Sequence, residues 1–114
     1  MTGSAITLHL TPVDFWAAQE DNAEYLPESF AAAGFIHCAD GESLVIDVGN
    51  RYYTTDPRAF CLLSIDLALV TARVVYEDPA QVYPHIYGPL NTDAVNDVRK
   101  ILRAEDGSFL GILE

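Results

Sequence analysis

Glu77 and His85 stand eight positions apart, the carboxylate ending an apolar run and the imidazole inside Tyr83-Pro84-His85-Ile86-Tyr87-Gly88-Pro89-Leu90. A carboxylate and an imidazole brought together by a short loop form a proton-exchanging pair, or a pair that holds a sugar hydroxyl. Without such chemistry, Glu77 is a surface carboxylate and His85 stacks on Tyr83 or Tyr87. The flanking prolines fix φ and remove donors, so the segment reads as a short rigid element or strand end and not as a helix. His37 lies in the apolar run Gly34-Phe35-Ile36-His37-Cys38. Taken alone it reads as a core histidine with one ring nitrogen bonded to a backbone carbonyl. Tyr52 and Tyr53, next to Arg51, are either the hydroxyl-bearing wall of a pocket or the amphipathic end of a helix.

Other chemistries have less support. His9, His37 and His85 are isolated from one another in sequence, and no two soft ligands sit at i, i+3 or i+4. His37 and Cys38 are adjacent, but neighbouring strand residues point to opposite faces and do not share an ion, so no metal is expected. Cys38 has no neighbouring cation to depress its pKa, and Cys61 lies inside an apolar strand, so both read as small buried hydrophobes. No P-loop, GxGxxG, GxSxG or HExxH pattern occurs.

The elements that must position these residues follow from periodicity. Ile6, Leu8 and Leu10 alternate with Thr7 and His9, which predicts a half-buried first strand. Thr11-Pro12 reads as N-cap and first turn of a helix carrying Val13, Trp16 and Ala17 on one face and fading near Asn22. Residues 23–33 contain a proline and no clear period, and read mostly as loop. Residues 34–38 read as a buried strand. A second helix starts near Asp40 and Glu42, with Leu44, Val45 and Val48 as its apolar stripe and Tyr52 a turn further on; Gly49 weakens it by about 1 kcal/mol without ending it. Phe60 to Leu67 is apolar on both alternating sets, as in a central strand, and Arg73 to Glu77 is a second such run. Segment 92–103 fits either a helix, through Val95, Val98 and Leu102, or the edge of a sheet. Asp106-Gly107 signals a hairpin with Phe109, Leu110 and Ile112 on its return strand.

Length and composition bound the rest. A chain of 114 residues that is 50% hydrophobic and 11% aromatic affords one modest core and is not a disordered acidic tail. We therefore read residues 1–114 as a single domain. The net charge of −11 argues against sequence-independent binding to a nucleic-acid backbone. No apolar stretch is long enough to span a bilayer, and the first residues lack the pattern of a signal peptide, so a cytoplasmic protein without membrane attachment is expected.

GFIHCA at 34–39, VVYE at 74–77 and YPHIYGPL at 83–90 together resemble the family called domain of unknown function 952, over most of the chain to about residue 103. Members typically carry a Trp on the first helix, as Trp16 does here, a segment ending in Trp-Glu, and FPHxYGPL. Ala39 stands where the family usually has Ser or Thr, and Tyr76 and Tyr83 replace Trp and Phe. The stretch from Asp78 to Val82 is shorter than usual and lacks a basic, glycine-rich insert. The family is similar in fold to the ADP-ribosyltransferase superfamily. The resemblance thus implies an α+β domain: a small split β-barrel, or strongly bent and mostly antiparallel sheet, with two helices.

The same resemblance implies binding or cleavage of NAD or a related nucleotide in a pocket centred on His37. His37 would orient a ribose, and Glu77 or His85 would stabilise developing positive charge or accept a proton. Tyr52, Tyr53 and Tyr87 would line the ligand. The expectation is one pocket holding His37, Glu77 and His85 within a small ligand's length. The alternative is a non-catalytic small-molecule or protein-binding module that keeps the fold. The cation supply discriminates, because a pyrophosphate must be neutralised and only Arg51, Arg58, Arg73, Arg99, Lys100 and Arg103 are available.

Overall fold

The computed structural model describes residues 5–113. Chain order is β1 (Ile6–Pro12), α1 (Val13–Ala17), β2 (Glu24–Tyr25), α2 (Phe30–Ala33), β3 (Ile36–His37), α3 (Glu42–Tyr52) and β4 (Phe60–Asp66), then β5 (Arg73–Tyr76), β6 (Pro84–Tyr87), β7 (Leu90–Asn91), β8 (Val95–Arg103) and β9 (Phe109–Ile112). Single 3-10 turns follow β4 and β7. β4 is apolar on both faces and is central: Cys61, Leu63 and Ile65 enter one hydrophobic cluster, Phe60 and Leu62 the other. It pairs with β1 on one side and β8 on the other, and β9 closes that edge. A second sheet runs β3-β6-β5, and β2 pairs with β7. Every strand pair among the described residues is antiparallel. Leu8 and Ala39 exchange backbone hydrogen bonds of 2.9 and 2.8 Å, which joins β1 to the chain just past β3. The result is mixed α/β structure in a curled antiparallel sheet with few helices. Among the described residues no helix is long and apolar enough to cross a membrane.

Several sequence expectations change here. The first strand is not half-buried: Thr7, His9 and Thr11 are as buried as Leu8 and Leu10, because Trp16, Tyr25 and Ile36 cover their face. Thr11 is not a helix cap. It pairs with Cys61 in the sheet, and its hydroxyl is taken by Tyr25 at 2.8 Å. The strand therefore runs on through Pro12, and α1 begins at Val13. That helix ends at Ala17 and does not reach Asn22. Residues 19–22 are all polar and bury no further turn, and the Gln19 side-chain amide binds both backbone groups of Leu26 at 3.0 Å, folding the chain back. Residues 23–33 are not all loop; they hold β2 and α2. Helical structure thus comes in three segments instead of two. The ambiguous segment 92–103 is a strand from Val95 onward, because it completes the ladder beside β4.

α3 packs across the other face of the sheet with Val45 buried. Gly49 is required there: a Cβ would meet three ring atoms of Phe109 at 2.7–3.0 Å. Gly34, at φ +81, ends α2 in the left-handed conformation that favours glycine and turns the chain into β3.

Candidate functional site

β3 and β6 pair in a register that puts His37 directly opposite His85. Side chains of paired residues share a face, and the two imidazole rings lie 5.3 Å apart, edge to face. Phe35, two residues before His37, stacks on His85 at 3.9 Å and 14°. On the other side of β6, Val75 of β5 pairs with His85, which brings Glu77 just past the strand end. Glu77 Oε1 lies 2.8 Å from His85 Nδ1 and also accepts the Tyr87 hydroxyl. Hydrogen bonds from Tyr87 and His85 hold the Glu77 carboxyl below its ordinary range, and the same contact raises the Tyr87 phenol. Arg73 sits over the Tyr87 ring at 5.3 Å. Glu77 holds His85 through Nδ1, and Nε2 has no partner among the described residues, which is the arrangement of a base oriented by a carboxylate.

His37 is not the core histidine that its apolar surroundings suggested. It is exposed, and neither ring nitrogen bonds another described residue. Partial burial, with the neighbouring His85, lowers its pKa and favours the neutral ring. The core histidine is His9, which is 4% exposed. His9 Nδ1–H donates to the carbonyl of His37 at 2.7 Å, and its Nε2 lies 3.0 Å from the Tyr25 hydroxyl. Burial pulls its pKa from 6.5 to about 4. Burial also pushes up both thiols, Cys61 to about 11, so neither is a ready nucleophile.

His37 and His85 line a cavity of about 490 Å³, between the concave face of the sheet and α3. Such a volume lies in the range of about 300–1,000 Å³ usual for small-molecule sites. Leu8, Leu10, Ala39, Val45, Phe60 and Tyr83 form its apolar wall, and Tyr52 and Tyr53 also line it. Glu77 and Tyr87 do not line it; they stand behind His85. Of the six cations, Arg51 and Arg58 reach the cavity, but both are already paired, Arg51 with Asp47 and Arg58 with Asp56 and Glu28. Glu28, Asp56 and Asp78 are also lining residues. Asp78 braces the rim by accepting the backbone N–H groups of Val82 and Tyr83 at 3.0 and 3.1 Å.

Sequence reasoning does not single out Phe35 or Glu28, and offers Arg58 only as one of six cations able to meet a pyrophosphate. Phe35 was detectable, since strand period two puts residues 35 and 37 on one face. The pairing of Arg58 with Glu28 carries no sequence signal, because thirty positions separate them.

Two crystal structures of protein CC0527 from Caulobacter crescentus, one of a double mutant and one of the unmutated protein, each match with a TM-score of 0.77 at 18% identity, covering 92% of this chain and 93% of that one. The solution NMR structure of the same protein matches at 0.70 and 17% identity over 90% of both chains. At that identity the likeness is one of fold. No curated protein matches. The profile of the family described as "Protein of unknown function (DUF952)" matches residues 10–98. With the match covering most of its length, the chain belongs to the DUF952 family.

Proposed function

We propose that this chain is an ADP-ribosyltransferase-like protein that binds NAD or a related nucleotide in the His37 cavity and cleaves it at the nicotinamide ribose. One observation carries the reading: the cross-strand pair His37–His85 lines a cavity with the His37 ring nitrogens and His85 Nε2 unpaired among the described residues, and with Glu77 bonded to His85 Nδ1. His37, neutral and uncommitted, hydrogen-bonds a ribose hydroxyl. Tyr52 and Tyr53 supply aromatic wall for the bases. In hydrolysis the C1′–N bond breaks, with its electron pair leaving on neutral nicotinamide, and a water oxygen bonds C1′. The water proton goes to His85 Nε2, and the Glu77 carboxylate balances the imidazolium. Tyr87 acts one step away, by orienting Glu77.

A second reading is favoured by the charges. Both cavity arginines are paired, and three carboxylates share the lining, so a non-catalytic module for a small uncharged ligand fits the same walls. Thermal denaturation separates the two. NAD or ADP-ribose at about 100 times its Kd stabilises by about 2.7 kcal/mol, which moves the midpoint of a domain near this size by about 10 °C or more. His37→Ala removes that shift. Absence of any shift with NAD, ADP-ribose or other nucleotides rejects the nucleotide reading and leaves the second.

A further inference from the structure

Arg58 lies just before β4, and Glu28 in the loop between β2 and α2; both line the cavity. The guanidinium grips the Glu28 carboxylate with both terminal nitrogens, Nη2 to Oε1 at 2.9 Å and Nη1 to Oε2 at 3.4 Å. It holds Asp56 from the other side, through Nη2 at 2.8 Å and Nε at 3.1 Å. The position of Arg58 does not depend on Glu28. Its backbone N–H donates to Asp56 Oδ1 at 3.0 Å, and its carbonyl accepts from Arg103 Nη1 at 2.7 Å. Arg103 is itself stacked on the Phe109 ring at 4.3 Å. Glu28 has no second side-chain partner among the described residues, and its side chain is 56% exposed. Arg51, the other cation at this mouth, pairs with Asp47 along the outside of α3 and ties no two segments together.

We propose that Arg58 is the phosphate-binding residue of the cavity, and that Glu28 is an intramolecular competitor which a ligand's phosphate displaces. The inference rests on the nucleotide reading for the remainder of the ligand. The fork of an arginine fits carboxylate and phosphate oxygens alike, so one replaces the other without moving the guanidinium. Asp56 stays bound and keeps Arg58 oriented during the exchange. Because the Arg58–Glu28 contact is solvent-exposed, its loss costs little, and a dianionic group outcompetes a single carboxylate. The exchange also unties loop 26–29 from loop 56–58 at the mouth.

Titration calorimetry with inorganic pyrophosphate tests this on the wild type, Glu28→Gln and Arg58→Gln, each first checked for an unchanged circular dichroism spectrum. Removing the competitor makes Glu28→Gln bind about two- to five-fold tighter. Losing the fork makes Arg58→Gln bind about tenfold weaker or worse. Equal affinity of wild type and Glu28→Gln, undiminished binding by Arg58→Gln, or no pyrophosphate binding at all overturns the proposal. NAD titrated in parallel keeps the two readings apart. NAD binding that survives Arg58→Gln overturns the Arg58 assignment alone. Pyrophosphate binding in the expected order without NAD binding overturns the nucleotide reading alone.

Discussion

His9 and His37 are joined by one hydrogen bond and lie in opposite environments. His9 is enclosed between β1 and the Trp16–Tyr25 cluster, with both ring nitrogens satisfied and its charge suppressed by burial. His37 stands on the open face beside His85, with both ring nitrogens uncommitted among the described residues. A buried imidazole with two good partners stiffens a fold and does no chemistry, since it has no lone pair or proton to offer. An imidazole on a rim, set opposite a second one that a carboxylate orients, contributes little to stability and has chemistry to spare. The bond from His9 to the His37 carbonyl places the first region in support of the second: it fixes the backbone from which His37 projects.

The contrast is broken most directly at His9. His9→Leu leaves the His37 carbonyl without its buried partner and puts an apolar side chain against the Tyr25 and Thr11 hydroxyls. The expected cost is about 3 kcal/mol, a fall in Tm of about 10 °C or more. A chain that melts within a few degrees of wild type would show that the network carries no stability.

Acid is the second probe. His9 titrates at about 4 in the folded chain against 6.5 in ordinary surroundings, so the unfolded chain binds more protons between those values. The stabilisation is therefore complete above pH 6.5 and is lost as pH falls toward 4, by up to about 3 kcal/mol. His37, also lowered, adds a smaller slope of the same sign. Urea midpoints across this window should fall steeply for wild type and much less for His9→Gln, which keeps polar groups but does not titrate. The same slope in both would assign the acid sensitivity elsewhere.

The smallest effect is expected at the rim. His37→Ala removes edge contacts with Phe35 and His85 but no ring hydrogen bond among the described residues, and should change stability by less than about 1 kcal/mol. A loss as large as that of His9→Leu, measured by the same denaturation, would erase the distinction between the two histidines.

The expected pocket was partly legible. The register of β3 on β6 is what an apolar GFIHC run and a proline-bracketed PHIY run allow when each alternates about a buried isoleucine, Ile36 and Ile86. That pairing brings His37 to His85, and the short connection from β5 brings Glu77 to His85. Glu77 and Tyr87 are not among the lining residues; they bond one another beside His85, which itself faces the cavity. Local capping signals at Thr11 start the helix too early and carry it too far, because they ignore a strand partner. Pairing with β4 and the Tyr25 hydroxyl claimed Thr11 first.

Local pattern by itself determined the central strand from Phe60, the helix through Val45 and the hairpin at Asp106-Gly107, while the motifs around His37 and His85 carried the family resemblance. Those features depend on neighbours within a few positions, which a sequence displays directly. Only the tertiary structure decided which histidine is buried and which is free, and that Arg58 meets Glu28 at the cavity mouth. Alternation along a strand says which residues share a face, but not what will cover that face. The cover on His9 comes from Tyr25, sixteen positions away, and the partner of Arg58 comes from thirty. Burial and charge pairing over such separations are set by the curl of the sheet, and no local spacing encodes them.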